Sequence, residues 1–324
     1  MPTPPVIDVR LTPAQRRAGL VEDARRGLSG EPKVLSPVWF YDERGSNLFD
    51  EITRLPEYYL TRVERALLRD HAAEIARITY AEELTELGSG TSEKTRLLLD
   101  AMTAGGTLQR YAPFDVSEET LKESAAAVAV EYPGVAVHGI VGDFHRHLDA
   151  IPEGKRRLVA FLGSTIGNLT PDERARFFFD LNCAFGHDDW FLLGADLVKD
   201  PALLLAAYND AQGVTAEFNR NALRVLNAEL GADFDPDGFE HRAIWDAEER
   251  WIEMRLRSTA AQQVTIGALD LVIDCGPGEE IRTEISAKFT RDQISGELDA
   301  AGFVTEQVWE DDGRFVLVLC RPYC

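Results

Sequence analysis

The sequence predicts an α/β protein: a doubly wound, mainly parallel sheet, closed at one edge by a C-terminal antiparallel hairpin and interrupted by an inserted α+β domain. Three observations carry this expectation. Strand-like and helix-like runs alternate from about residue 63 to 198. Two apolar runs, 302–309 and 314–320, flank the turn Glu310-Asp-Asp-Gly313. The stretch between the last alternating strand and that hairpin is several times longer than one crossover needs.

Taken in order, residues 62–79 place Arg, Glu, Ala and Leu at helical spacing. A short strand ends at Glu86-Leu87-Gly88, and 92–103 reads as a helix. After a strand at 109–115, Ser117 stands where it caps the next helix, with Glu118 and Glu119 where carboxylates suit the helix dipole. That helix stops near Pro133-Gly134, and a strand at 135–141 leads to Gly142-Asp143. Residues 157–163 read as a buried strand. Thr170-Pro171-Asp172-Glu173 supplies a capping hydroxyl, a proline at the first helical position and then acids. A fifth strand at 189–194 completes the alternation, which implies parallel order. A parallel sheet ended by such a hairpin looks like a class I methyltransferase domain, Rossmann-like in its winding.

Residues 199–288 form the insertion, with helices in 201–231 and β-like runs at 251–257, 263–274 and 280–287. The expected organisation is therefore 63–198 with 289–324 as the cofactor-binding domain, and 1–62 with 199–288 as a substrate-binding domain. The second is expected over the carboxyl edge of the sheet, where ligands bind in open α/β folds.

Composition narrows the partners. Net charge is -21, from 34 basic and 55 acidic residues, so phosphate backbones and anionic lipid surfaces are repelled. No run approaches the roughly 18 apolar residues of a membrane span, and the N-terminus lacks a basic flank followed by an apolar core. Cys183, Cys275, Cys320 and Cys324 form no Cys-x-x-Cys pair and read as buried thiols of a reducing compartment. His145 and His147 have no third ligand nearby, so no metal is expected. A cytoplasmic monomer acting on a small molecule is expected, with neither nucleic acid nor membrane as partner.

The turn Glu86-Leu-Gly-Ser-Gly-Thr-Ser-Glu-Lys94 has three competing readings. A dinucleotide fingerprint needs a third glycine where Glu93 stands, and a P-loop needs a glycine at that same position, beside the triphosphate. S-adenosylmethionine carries no phosphate. Its sulfonium suits an acidic strand end such as Glu86, and Lys94 can meet its carboxylate. Asp115 ends the second strand, where an acid accepts from both ribose hydroxyls. Asp143 ends the third, where an acid accepts from the adenine amino group, and Phe144 can cover the ring. Any one acid here can be a turn cap; three at successive strand ends point to S-adenosylmethionine.

Longer motifs carry a family resemblance. Trp39-Phe-Tyr-Asp42, Gly45-Ser-Asn-Leu-Phe49, Leu55-Pro-Glu-Tyr-Tyr59, Phe161-Leu-Gly-Ser-Thr-Ile-Gly-Asn-Leu169, Asp196-Leu-Val-Lys-Asp200 and Thr283-Glu-Ile-Ser-Ala-Lys-Phe289, with the glycine turn, resemble the L-histidine Nα-methyltransferases of ergothioneine biosynthesis. Those enzymes form Nα,Nα,Nα-trimethylhistidine (hercynine) by three successive transfers. The resemblance, from about residue 20 onward, implies that Gly88, Lys94, Asp115, Asp143 and Phe144 hold S-adenosylmethionine. It implies that Asn168 and Tyr41 meet the α-amino group as the catalytic pair. Tyr58 and Tyr208 then hold the carboxylate, Glu284 and Ser286 the imidazole, and Met254 lines the side-chain pocket. Leu60 stands where the family has proline, which leaves open whether Tyr58 or Tyr59 faces the substrate.

These residue types suit methyl transfer, an in-line displacement that needs an aligned, unprotonated amine. Asn168 can orient the amine without adding charge, and the phenol of Tyr41 can hold it or relay its proton. Glu284 and Ser286 give a basis for choosing an imidazole over apolar side chains. Two other readings stand beside this one. An Nα-methyltransferase of another amino acid, such as tryptophan, would have less use for Glu284. A non-catalytic amino-acid or S-adenosylmethionine sensor would have no need of Asn168 and Tyr41.

Overall fold

The computed structural model describes residues 3–323. In chain order the first elements are β1 (Val6–Val9), α1 (Pro13–Leu28), β2 (Lys33–Val34), α2 (Glu43–Arg54), α3 (Tyr59–Thr79), β3 (Glu83–Leu87) and α4 (Arg96–Ala104). Then come β4 (Arg110–Asp115), α5 (Glu118–Glu131), β5 (Ala136–Val141), β6 (Arg157–Phe161), α6 (Pro171–Cys183) and β7 (Trp190–Asp196). The later elements are α7 (Pro201–Ala207), α8 (Val214–Leu230), β8 (Phe239–Asp246), β9 (Trp251–Ser258), β10 (Gln262–Ile266), β11 (Leu271–Cys275) and β12 (Glu280–Ala287). Last are α9 (Arg291–Ala300), β13 (Phe303–Asp311) and β14 (Phe315–Pro322).

Two compact units result. One comprises the described residues up to Leu11, Leu60–Val198 and those from Lys288 onward; the other comprises Thr12–Tyr59 and Lys199–Ala287. Within the first lies a sheet of order β1-β5-β4-β3-β6-β7-β14-β13. Neighbours from β1 to β7 are parallel. β14 runs antiparallel to β7, and β13 to β14. β3 and β6 sit at the centre, and the chain winds outward from them in opposite directions. Their carboxyl ends are thus the topological switch point at which such sheets bind ligands. All five residues of β6 and the last four of β3 are buried, as expected of strands covered on both faces.

One correction concerns the N-terminus. The sequence reading assigned all of 1–62 to the insertion, but Val6–Val9 pairs in parallel with β5, Val6 opposite His138 and Val9 opposite Val141. A four-residue strand leaves almost no pattern, and at the sheet edge it keeps exposed apolar side chains, Val6 being 60% exposed. The parallel part therefore has six strands, not five. The other boundaries fall at 59/60, 198/199 and 287/288, against 62/63, 198/199 and 288/289 from sequence.

Smaller differences have local causes. α4 starts at Arg96 and not at 92, because Ser92 takes a left-handed φ of 56°. β6 stops at Phe161, since Gly163 and Ser164 also turn left-handed. Ser117 occupies the N-cap position of α5, but its hydroxyl donates to Thr120 Oγ1 and caps no helical N–H. Thr170 forms a full capping box: its hydroxyl accepts from Glu173 N, and Glu173 Oε2 accepts from Thr170 N at 2.8 Å. The run 263–274 is a hairpin, β10 with β11, broken by a turn at Gly267–Leu269.

The second unit contains the sheet β2-β12-β9-β8, with α8 packed on β8 and β9. Cys275 and Cys320 are buried free thiols, whereas Cys183 is exposed, contrary to expectation, because it closes the solvent end of α6. Cys324 lies outside the described residues. Among those described, no helix is long and apolar enough to cross a membrane. No group of three His, Cys, Asp or Glu is placed to hold a metal ion among them either.

A buried ion pair joins β6 to the start of β7. Asp189 accepts from the Arg157 N–H at 2.9 Å and Nε at 3.0 Å, and from Gly186 N at 2.7 Å. The two side chains are 8% and 3% exposed. Asp189→Ala strands a guanidinium in the interior, and a loss of about 3–5 kcal/mol is expected in urea unfolding.

Candidate active site

The residues singled out from sequence divide between the units. Gly88, Lys94, Asp115, Asp143, Phe144 and Asn168 lie in the first; Tyr41, Tyr58, Tyr208, Met254, Glu284 and Ser286 lie in the second.

In the first unit, β3 delivers the chain into the turn 88–95. Gly88 and Gly90 have φ of 70° and 48°, and a side chain on either would point into open space. Glycine is needed there for backbone conformation, and the space beyond is left for a ligand. Gly90 N–H donates to Asp115 Oδ2 at 2.8 Å, and Ser117 N–H to Oδ1 at 2.9 Å. Asp115 thus acts as a turn cap, yet each of its oxygens keeps acceptor capacity. Burial holds its carboxyl above the usual range, opposed by these backbone donors. Asp143 accepts from His145 N at 2.9 Å, and the Phe144 ring packs edge-on to Phe161 and Phe177. Asn168 closes a short helical turn, Thr165–Asn168, directly before the α6 cap.

One charged residue turns away from the expected side, and a second has a partner within the protein. Glu86 does not present its carboxylate to the open side of the turn: it is 2% exposed, and its Oε2 accepts from Thr95 Oγ1 and, at 2.9 Å, from the Tyr111 hydroxyl. It fastens the turn from beneath. Lys94, expected on the ligand, is paired with Glu64. Glu64 is wholly buried, and its other oxygen accepts from Gly163 N–H at 2.7 Å. Gly194 in β7 lies so close that any side chain would overlap this carboxylate. Glu64 thereby ties α3 to the glycine turn and to the loop that carries Asn168. Sequence reasoning missed it among the Arg and Glu of α3. Helical spacing from Leu60, Leu67 and Leu68 would have placed it on the apolar stripe.

The second unit gathers its set on one face of its sheet. Glu284 is opposite Met254, and Ser286 opposite Ile252. Directly opposed residues share a face, and so do residues two apart. The register slips between Arg282 and Glu284. Without that bulge, alternation from Ile281 would turn Glu284 to the other side. Tyr208 OH and Ser286 Oγ are 2.7 Å apart. An aromatic group surrounds them: Tyr58 packs against Tyr208 and Phe49, and Tyr41 against Phe49 and Phe218. Tyr58 is therefore the member of the tyrosine pair that joins this cluster. Tyr59 turns to Lys199, whose ammonium donates to its hydroxyl at 2.8 Å.

The first unit has residues that suit S-adenosylmethionine. Its glycine turn opens onto free space, a carboxylate stands at the next strand end, and the Ser89 hydroxyl within the turn is buried without a hydrogen-bond partner. With the doubly wound sheet and terminal antiparallel hairpin, these features define a class I S-adenosylmethionine-dependent methyltransferase.

Comparison with known proteins narrows the class. Residues 20–322 match the family described as "Histidine-specific methyltransferase, SAM-dependent", and the chain belongs to that family. It is 53% identical over 301 residues to the histidine N-alpha-methyltransferase of Mycolicibacterium smegmatis, spanning 93% of this chain and 94% of that protein. The Mycobacterium tuberculosis protein of the same name matches with the same figures. Ergothioneine biosynthesis protein 1 of Neurospora crassa is 36% identical over 233 residues, 66% of this chain and 26% of that longer protein.

Glu86 makes a pH prediction. Burial, opposed by Thr95, Lys94 and Tyr111, raises its carboxyl from 4.5 to about 7. The folded state thus keeps a proton that the unfolded chain has lost. Its contribution to stability is complete below pH 4.5 and is lost as pH rises through 7. Glu86→Gln removes this dependence. Relative to the unaltered protein, the variant is expected to gain about 2–4 kcal/mol between pH 4.5 and pH 8. Thermal melts at both pH values read the difference.

Proposed function

We propose that this enzyme transfers methyl groups from S-adenosylmethionine to the α-amino nitrogen of L-histidine, three times in succession, giving hercynine for ergothioneine synthesis. The observation that carries the reading is the β12 bulge, which puts a carboxylate and a hydroxyl, Glu284 and Ser286, on the same face as the Tyr208 phenol. In a methyltransferase of the histidine-specific family, that set matches an imidazole at one end of the amino acid and a carboxylate at the other.

S-adenosylmethionine supplies the electrophilic methyl group. Asp115 and Asp143 accept from its ribose and adenine, Gly88 gives backbone access, Phe144 covers the ring, and Lys94 supplies a donor for its carboxylate. In the acceptor site, Glu284 and Ser286 hold the imidazole, Met254 lines the pocket, and Tyr58 and Tyr208 donate to the substrate carboxylate. The amine must be unprotonated with its lone pair toward the methyl group. Asn168 accepts one of its hydrogens in the first two transfers, and Tyr41 holds it. Lost protons leave toward water beside Tyr41, since a neutral phenol is too weak a base to keep them. Holding the amine for attack does not require charge, so orientation is the main catalytic contribution. The protein is further read as a cytoplasmic monomer that needs no metal; its net charge of -21 supports the absence of nucleic-acid and anionic-membrane partners.

A panel of free amino acids with S-adenosylmethionine, followed by mass spectrometry, tests this directly. Mono-, di- and trimethylated histidine are expected; methylation of tryptophan alone, or of nothing, overturns the reading. Glu284→Ala is expected to weaken histidine binding about tenfold or more, the scale of a lost charge-assisted hydrogen bond, with little change for S-adenosylmethionine. Asp115→Ala is expected to do the reverse. Calorimetry with each ligand separates the two, and equal losses would remove both assignments.

A further inference from the structure

Beside Glu284, with His241 on the same face of the sheet, runs a buried polar chain through His241, Asn219 and Thr283, three residues given no role above. Tyr208 C=O lies 2.8 Å from His241 Nε2, His241 Nδ1 lies 2.8 Å from Asn219 Nδ2, and Thr283 Oγ1 lies 2.6 Å from Asn219 Oδ1. Asn219 and Thr283 are fully buried, and His241 is 7% exposed. With the imidazole neutral, one assignment of hydrogens runs through the chain. A carbonyl can only accept, so Nε2 carries the imidazole hydrogen. Nδ1 of the neutral ring must then accept, so Asn219 presents its amide nitrogen. The second amide hydrogen goes to Arg255 C=O at 3.1 Å, which leaves Oδ1 to accept from Thr283. Burial lowers the His241 pKa, reinforced by Arg220 and opposed by the Tyr208 carbonyl, Asp210 and Glu240, a shift toward the neutral ring.

Both ends of the chain meet the proposed substrate site. At one end is the backbone of Tyr208, whose hydroxyl meets Ser286. At the other is Thr283, which sits in the register break between Arg282 and Glu284. Its hydroxyl also lies 3.0 Å from the carbonyl of Met254, the residue opposite Glu284. The Thr283 hydroxyl therefore ties the bulge to α8 through Asn219, close to the Met254 carbonyl of β9.

We propose that Thr283, Asn219 and His241 are positioning residues for the amino-acid pocket: together they set the bulge that aims Glu284 and the span from Glu284 to the Tyr208 phenol, and so determine affinity for histidine. This rests on the reading that Tyr208, Glu284 and Ser286 hold the amino acid. A ladder with no tie to α8 would let the bulge migrate or anneal, and a one-residue slip turns the carboxylate away. An aliphatic replacement of Thr283 keeps the shape but removes the tie.

The test uses the full chain with Thr283→Val, Thr283→Ser and His241→Phe, each measured for histidine and S-adenosylmethionine binding by calorimetry and for kcat and KM. Thr283→Val and His241→Phe are expected to raise the histidine KM about tenfold or more, the scale of a lost buried hydrogen bond. S-adenosylmethionine affinity should stay within about twofold, and kcat should change less than KM. Thr283→Ser keeps the hydroxyl and should restore the histidine KM to within about twofold. A lower melting temperature in Thr283→Val with an unchanged histidine KM would make the chain merely structural and overturn the proposal. So would equal loss of both ligands, or failure of Thr283→Ser to restore binding. Should the unaltered protein not bind histidine, or Glu284→Ala not weaken it, the functional reading falls together with this proposal. If Glu284→Ala weakens histidine while Thr283→Val does not, only the positioning chain falls.

Discussion

A carboxylate with no access to water must be neutralised or hydrogen-bonded, and Glu64 meets that demand with the ammonium of Lys94 and the N–H of Gly163. Much of the cofactor-side geometry follows from this constraint. The ion pair sets where the glycine turn ends. The backbone donor sets where the chain leaves β6, and hence where Thr165–Asn168 begins. Ser164 adds to the anchorage, its Oγ accepting from Asp196 N at 3.0 Å beside the fully buried Asp196–Lys288 pair. A helix, a turn and a loop are thereby joined at the carboxyl edge of the sheet, at its point of strand reversal.

A second demand shapes the other unit. β12 must bury Ile281 and still turn a carboxylate to the same face three residues later. Strict alternation forbids both, and the bulge resolves the conflict by adding one residue to the register. Such a slip needs to be held, and the tie from Thr283 to Asn219 supplies the hold. Rigid aromatic side chains around Tyr58 and Tyr208 complete the wall at small entropic cost.

These arrangements place ionisable groups where solvent would not. Glu86, the Asp196–Lys288 pair, Glu64 and His241 are all buried, and each has a partner. Unpaired, any of them would cost several kcal/mol against a total stability of about 5–15 kcal/mol. A site of this kind depends on complete networks: one missing partner destabilises the fold and misplaces the group it held.

Local sequence signals settled a good deal. Alternating strands and helices, the glycines at 88 and 90, the Thr170 capping box and the terminal hairpin all read directly, because each depends on neighbours in the chain. The family resemblance pointed to Tyr208, Glu284 and Ser286 as the amino-acid site proposed above. What stayed hidden depended on distant partners. Val6–Val9 is a strand only because β5 offers an edge, and Glu86 turned inward because Thr95 and Tyr111 wait beneath it. Lys94 is on Glu64 because α3 crosses the turn. Glu284 shares a face with Ile281 only through a bulge that periodicity cannot register. Sequence alone determined which elements form and which family they belong to, since propensity, capping and motif spacing are local. Tertiary structure alone decided which charges are buried and which way they point, because burial and pairing are properties of the packed chain.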